Sequence, residues 1–204
     1  MNRATRLAGI VAALLFAGSV LGFGAVLDGF SHQVHPAGLL GATGIPRALA
    51  FNALAFVLPG VLAAWLAWRS RTRLPAGAPF SSRIGLQLVL LSALAFASQG
   101  VLPLDSRDLD AHATRLHASA WMLWWIAFVP GALLLAWAAW RDRPRRLMSF
   151  VVHLLAAGSV IGFALPAERW LGAGIAQRLA FAAWFGWLVL APAFADDTRE
   201  RRMG

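Results

Sequence analysis

Six long apolar segments constrain the fold of this 204-residue chain more than any other feature. A helix needs about 20 consecutive apolar residues to cross a bilayer, and each segment is long enough. The chain is 59% hydrophobic and 13% charged, so a water-soluble domain of this length could not bury its apolar surface. The sequence predicts an all-α polytopic membrane protein, a single six-helix transmembrane domain over residues 1–204, with helices at 7–27, 47–68, 84–103, 113–140, 147–166 and 175–195.

The first segment also has the features of a signal peptide, because Arg3 and Arg6 precede its apolar run. That run is longer than the usual ~7–15 residues, and no small-x-small cleavage site follows it. Its sequence AGSVLGF (17–23) recurs as AGSVIGF (157–163) inside the fifth segment. We therefore expect the first segment to be a structural helix of the protein.

Further pairs of segments resemble each other. GIPRALAF (44–51) opens the second segment and GIAQRLAF (174–181) opens the sixth, while AFVLPGVLAAWLAWR (55–69) is similar to AFVPGALLLAWAAWR (127–141). The pattern predicts three αα-hairpins with an internal parallel repeat, in which the first and third hairpins are related by an axis along the membrane normal. Convergent Ala- and Leu-rich composition is the alternative. The Trp-x-x-Trp-Arg endings are typical of anchors at the membrane interface.

The charge distribution predicts the topology. If the N-terminus is cytoplasmic and the helices alternate, 13 of the 18 basic residues lie inside and the net charge of +9 falls entirely on that face. This agrees with the positive-inside rule and with anionic lipid headgroups as partners, and it does not indicate nucleic acid binding. We expect a bacterial inner (plasma) membrane protein, multi-pass, with both termini cytoplasmic.

Polar residues that could form a site concentrate in the three outer loops. If the fourth helix begins near Asp110, then Asp110, His117 and Trp121 share one face with Thr114. Such a face would form an outward-facing pocket, polar at its mouth and aromatic below, suited to a lipid-like amphiphile. The alternative is structural: an Asp caps the helix, His117 bonds a loop carbonyl, and the tryptophans belong to the aromatic belt.

A metal site is a weaker possibility. His32 and His35, together with Asp110 and His117, could supply the three or four ligands that a catalytic metal needs. The chain has no cysteine, so a thiolate site is excluded, and no cofactor is required by the sequence.

Several of these motifs resemble one known family. The order of six helices, the loop ending GLLGATGIPRALAFN, the motif LHASAW at the head of the fourth segment and GIAQRLAF at the sixth are similar to the family called domain of unknown function 998. The resemblance covers nearly the whole chain and implies a fold and a location without an activity. By that resemblance the family's polar features correspond to Asn52, Asp110, His117, Gln177 and Arg178.

Three functional hypotheses follow. The leading one is a protein that binds or handles a lipid-like small molecule in a pocket that includes His117 and Arg178. In this hypothesis Arg178 pairs either with an acid, for which the loop between the third and fourth segments offers candidates, or with the neighbours of Gln177. The second is a membrane-embedded metal-assisted hydrolase acting at the outer interface. The third is a small transporter, which is disfavoured because no Asp, Glu or Arg lies in the middle of a segment. The sequence does not predict the oligomeric state.

Overall fold

The computed structural model describes residues 3–108, 110–141, 146–165 and 167–200. The predicted end of the fifth helix at residue 166 and four of the arginines assigned to the cytoplasmic side, Arg143, Arg145, Arg201 and Arg202, lie outside the described residues. The prediction of an all-α chain with six membrane-spanning helices is confirmed, since six helices are long and apolar enough to cross a membrane. They are α1 (Arg3–Val26), α2 (Ala48–Thr72), α3 (Phe80–Val101), α4 (His112–Trp140), α5 (Leu147–Ala164) and α6 (Ala173–Glu200).

The helices form a closed ring in chain order. Each helix packs against its neighbours in the sequence, and α6 returns to pack against α1. The contact between α1 and α6 is the least extensive of the six. The seam that closes the ring is therefore the loosest join between helices.

Aromatic side chains from five of the six helices fill the centre of the ring. Phe181 of α6 lies with its ring centre 5.0 Å from Phe16 of α1, 5.1 Å from Phe96 of α3 and 4.8 Å from Trp124 of α4. Phe56 of α2 joins them at 5.4 Å from Phe96. These separations are those of favourable edge-to-face and tilted aromatic pairs. The cluster forms the aromatic centre of the hydrophobic core, to which all six helices contribute buried residues.

Pro59 and Pro130 occupy matching positions in the similar segments 55–69 and 127–141, but they affect their helices differently. In α2 a π-helical turn over Ala53–Val57 ends two residues before Pro59. Proline donates no backbone hydrogen bond and crowds the carbonyl four residues earlier, here Ala55, so a wider turn accommodates it. By contrast, α4 continues without interruption past Pro130.

The glycines of the duplicated AGSV-x-GF motif do not mediate close helix packing. A Cβ atom built on Gly18, Gly22, Gly158 or Gly162 would meet nothing within 4 Å. The packing role that such small residues commonly have in membrane helices is therefore absent at these four positions. In both copies the valine is buried, Val20 at 4% exposure and Val160 at 0%, so the two copies present the same face to the core.

Three polar segments meet at one end of the ring, which we call the loop end: residues 27–47, 102–108 and 167–172. The backbone N–H of Thr43 donates to the Leu104 carbonyl at 2.9 Å, joining the first segment to the second. At the start of α6, a Cβ atom on Gly174 would lie 2.6 Å from the Gln33 carbonyl oxygen, so only glycine permits this approach. The opposite end, where α2 and α4 finish and α3 and α5 begin, is called the arginine end.

Candidate functional site

Three of the predicted pocket residues surround one short turn of the first polar segment. This turn, a single 3₁₀ helix over Ala37–Gly41, is called the loop turn. Gln177 accepts a hydrogen bond from the Ala37 N–H at 2.8 Å, and the Asn52 Nδ2 group donates to the Gly41 carbonyl at 2.9 Å. At Gly38, a Cβ atom would come within 2.7 Å of the His117 Nε2 atom. Residues far apart in the sequence therefore meet around backbone atoms of the protein itself.

His117 is buried and hydrogen-bonded to the second polar segment. Its Nδ1 atom lies 2.9 Å from the Leu102 carbonyl oxygen and 3.2 Å from that of Gln99. Because both neighbours are acceptors, Nδ1 carries the hydrogen in this arrangement, and Nε2 faces Gly38. The alternative given in the sequence analysis, in which His117 bonds a loop carbonyl, agrees with this geometry.

Arg178 also contacts the first polar segment. Its Nη1 group donates to the His35 carbonyl at 2.9 Å and to the Gly174 carbonyl at 2.7 Å. The sequence predicts an acid or the neighbours of Gln177 as partners of Arg178, and the two acceptors that the structure shows for it are these backbone carbonyls. Its Nε and Nη2 atoms are buried, and neither has a hydrogen-bond partner among the described residues. The Phe30 ring lies over the guanidinium, 5.7 Å from Cζ.

Asp110 and Trp121 lie apart from this arrangement. Asp110 is exposed, and its N–H donates to the Asp108 Oδ1 atom at 2.9 Å. Thr114 fastens the same segment to α4, because its hydroxyl contacts the backbone of Asp105 and Asp108. Trp121 packs at 5.1 Å from Phe181, within the aromatic core. Of the predicted polar-to-aromatic face of α4, Thr114 and Trp121 therefore contact neighbouring parts of the chain, whereas Asp110 is exposed.

The residues that were considered as metal ligands are not gathered together. The His35 Nδ1 atom accepts a hydrogen bond from the Ser31 N–H at 3.0 Å, and His32 packs on α1 beside Gly24 and edge-on to Phe30. Within the part of the chain that the structure describes, no three His, Asp or Glu side chains form a group that could hold a metal ion.

An open apolar groove lies at the loose seam between α1 and α6, with a volume of about 690 Å³. Its apolar walls include Phe16, Val20, Leu21, Phe185, Val189 and Leu190, and it ends at His32 and Arg178 on the loop-end side. We call it the α1–α6 groove. Apart from Arg178, none of the pocket residues predicted from the sequence lines it.

Small residues create the groove. Ala13 and Ala17 on α1 and Ala182 and Gly186 on α6 are each four positions apart, and all four line the hollow. At Gly186, a Cβ atom would meet nothing within 4 Å. Pairs of small residues on two helices that pack together are the signal that could have located the groove from the sequence. The sequence alone did not show that α1 and α6 are neighbours.

A second, smaller groove lies on the other side of α1, against α2, with a volume of about 380 Å³. Leu14, Gly18 and Leu54 are among its lining residues, and Arg47 lies in its wall. Arg47 is exposed and has a left-handed backbone conformation, with φ of 62°.

Comparison with known proteins identifies the family without an activity. The family model described as "Protein of unknown function (DUF998)" matches residues 10–193. No match was found among curated proteins or among solved structures. The matched region includes all six membrane-spanning segments up to Ala191 except the first residues of α1. The chain belongs to the family of proteins of unknown function DUF998.

Proposed function

We propose that the protein binds a lipid-like amphiphile in the α1–α6 groove, with the apolar chain along the helices and the polar head at the loop end. The observation that carries the proposal is the composition of the groove. Its walls are apolar over most of their length, and they end at a cationic side chain, Arg178, beside His32.

The dimensions of the groove suit a hydrocarbon chain. Between Arg178 and Leu190 the groove follows α6 for about 18 Å, at a rise of 1.5 Å per residue. Half of a typical bilayer core is about 15 Å thick, so one acyl or isoprenoid chain reaching from the headgroup level to mid-membrane has a similar length. The volume of about 690 Å³ is within the usual range of small-molecule sites.

The concave shape favours a bound molecule over bulk lipid that only touches the surface. Since Ala17 and Gly186 present little or no side chain, the helices leave a hollow that a chain can enter from the side. An apolar chain in this hollow would contact α1 and α6 together and would fill the loosest seam of the ring. Such a ligand gains dispersion contacts that a chain on a convex helix surface does not.

We further propose that the loop end faces the outside of the inner membrane and that both termini are cytoplasmic. The supporting observation is the distribution of the 18 arginines, most of which belong to the arginine end or to the terminal segments. On this orientation the polar head of the ligand lies at the outer leaflet.

Filling the groove tests the proposal. Gly186→Leu places a side chain in the open space of the hollow, and Gly158→Leu makes the same change at an equally open position of α5 that does not line the groove. We expect native mass spectrometry of the purified protein to show a retained lipid for the wild type and Gly158→Leu, and its loss for Gly186→Leu. Equal retention by both variants would contradict the proposed site.

The same preparations separate the other functional classes. Elemental analysis that finds a stoichiometric metal ion would favour the hydrolase, although the described residues contain no group of three His, Asp or Glu ligands. A transported solute would need a path through or beside the ring, and aromatic side chains fill its centre. We therefore place the ligand at the seam and not in the middle of the bundle.

A further inference from the structure

Two buried nitrogens of Arg178, Nε and Nη2, lack a hydrogen-bond partner among the described residues, and we call them the unpaired edge. They indicate the chemistry of the ligand's head group. We propose that this head is an oxyanion, a phosphate or a carboxylate, bound by the Nε and Nη2 atoms of Arg178. The inference rests on the proposed function, because it assigns a head to the amphiphile whose chain occupies the α1–α6 groove.

The hydrogen bonds of Arg178 leave one side of the guanidinium group available. A guanidinium has five N–H donors in a fixed plane, and Nη1 supplies only two of them. Both Nη1 contacts are made, to the His35 and Gly174 carbonyls at 2.9 and 2.7 Å. The remaining three donors, on Nε and Nη2, have no partner among the described residues. These two nitrogens form an edge that matches two oxygens of a carboxylate or phosphate.

The unpaired edge is costly unless a ligand uses it. Nε and Nη2 are buried, and a buried donor without an acceptor is unfavourable, more so when the donor is charged. No described carboxylate forms a hydrogen bond with these two nitrogens. An anion from outside the chain would satisfy the donors and the charge together.

The surroundings hold the guanidinium in one orientation. The two carbonyl bonds fix the position of Nη1, and the Phe30 ring lies 5.7 Å from Cζ. Less conformational freedom is lost on binding when a donor group is already oriented. Because Nε and Nη2 have almost no exposed surface, the anion reaches them only when an adjacent side chain moves.

The position of the edge connects it to the groove. Arg178 and His32 line the same end of the α1–α6 groove, so both side chains are beside the proposed position of the head group. His32 can therefore donate a second hydrogen bond to an oxyanion at this end. A molecule with an apolar chain in the groove and an anionic head at Arg178 uses both parts of the site.

Matched ligands test the inference on the purified full-length protein in an uncharged detergent. Dodecyl phosphate and dodecanoate carry an oxyanion, dodecanol has the same chain without the charge, and inorganic phosphate has the charge without the chain. We expect both anionic amphiphiles to bind at least about tenfold more tightly than dodecanol, since hydrogen bonds to a charged group are stronger than those between neutral groups. Inorganic phosphate should bind much more weakly than dodecyl phosphate.

Variants assign the preference to Arg178. Arg178→Gln should remove the preference for the anionic head, and Arg178→Lys should reduce it because lysine lacks the two-pronged edge. Arg47→Gln is the matched control, since Arg47 lies beside the second groove on the other side of α1. It should leave the preference unchanged. If the Arg178 variants do not fold, the comparison of the ligands on the wild-type protein still decides whether an anionic head is preferred.

The outcomes separate this inference from the proposed function. If dodecanol and the anionic amphiphiles bind equally and Gly186→Leu weakens all of them, the groove binds a chain and the oxyanion inference is wrong. If none of the amphiphiles binds to the wild type, the proposed function itself fails. If inorganic phosphate binds as tightly as dodecyl phosphate and depends on Arg178, the site recognises a free anion, which overturns the amphiphile as ligand.

Discussion

Arg178 and His35 are 143 residues apart in the chain and are joined by a 2.9 Å hydrogen bond from Nη1 to the backbone carbonyl. The preceding residue, Gln177, bonds the Ala37 N–H of the same polar segment. The start of α6 thus holds the first polar segment at two adjacent points. The α1–α6 groove ends beside these contacts, so its polar end depends on the position of this segment.

Removal of the Gln177 contact should loosen the first polar segment. In Gln177→Leu the buried Ala37 N–H loses its acceptor, and we expect a destabilisation of about 1–3 kcal/mol. Thermal unfolding in detergent measures this change. Gln87→Leu, at an exposed position of α3, is the matched control and should leave the unfolding temperature nearly unchanged. Equal unfolding temperatures for the two variants would show that the bond does not hold the segment.

Gly41 and Asn52 should be energetically coupled. A Cβ atom on Gly41 would overlap the Asn52 carboxamide, which is the group that donates to the Gly41 carbonyl. Gly41→Ala and Asn52→Ala should each destabilise the protein, and the double variant should cost ~0.5–3 kcal/mol less than their sum because the overlap is removed. Unfolding free energies of the four proteins form the cycle.

The control is a second cycle in which Gly77, a glycine with open surroundings, takes the place of Gly41. A Cβ atom on Gly77 meets nothing within 4 Å, so Gly77→Ala should add to Asn52→Ala without coupling. Simple additivity of Gly41→Ala and Asn52→Ala would contradict the close contact between the two residues.

The helices could be predicted from the sequence, but the groove could not. A membrane helix needs only length and apolar composition, and α1, for example, reads as one apolar run from Leu7 to Val26. Because lipid and protein core are both apolar, the pattern of such a helix does not show which face packs inside. The position of Ala13 and Ala17 opposite Ala182 and Gly186 therefore emerges only from the packing of α1 against α6.

The sequence also predicts only part of the candidate site. It predicts Asn52, His117 and Gln177 as ligand-binding residues of a pocket, whereas in the structure all three contact the loop turn. The partners are backbone atoms of Ala37, Gly38 and Gly41, which carry no side-chain signal. Long-range contacts of this kind follow from tertiary structure and not from local pattern.

Both copies of the Trp-x-x-Trp-Arg motif, at the ends of α2 and α4, contain the same contact between the arginine and a tryptophan ring. The Arg69 guanidinium lies 5.1 Å from the Trp65 ring, and that of Arg141 lies 5.2 Å from the Trp137 ring. Each pair has i, i+4 spacing and forms a cation–π contact near the end of its helix. This similarity supports the interpretation of the motif as an interfacial anchor. The superposition of the first hairpin on the third remains a prediction.

His117 should contribute to stability through its Nδ1 atom. His117→Ala removes the donor to the Leu102 and Gln99 carbonyls and leaves a space beside Gly38. We therefore expect the free energy of unfolding to fall by ~1–3 kcal/mol. His117→Asn should recover part of this loss, because the Asn amide can donate from a similar position. His112→Ala, at the exposed start of the same helix, is the control. If His117→Ala unfolds at the same temperature as His112→Ala, the Nδ1 hydrogen bonds of His117 do not stabilise the protein.

The orientation of the groove can be tested with single cysteines, because the chain has none of its own. Ser106→Cys lies at the loop end and Gly77→Cys at the arginine end, and both positions are exposed. Arginine-rich segments are retained in the cytoplasm during insertion, so we expect the Ser106→Cys variant to react with a membrane-impermeant maleimide in spheroplasts. The Gly77→Cys variant should react only after the membrane is permeabilised. The reverse labelling pattern would place Arg178 and the polar end of the groove at the cytoplasmic leaflet, where the ligand would have to enter from the inner side.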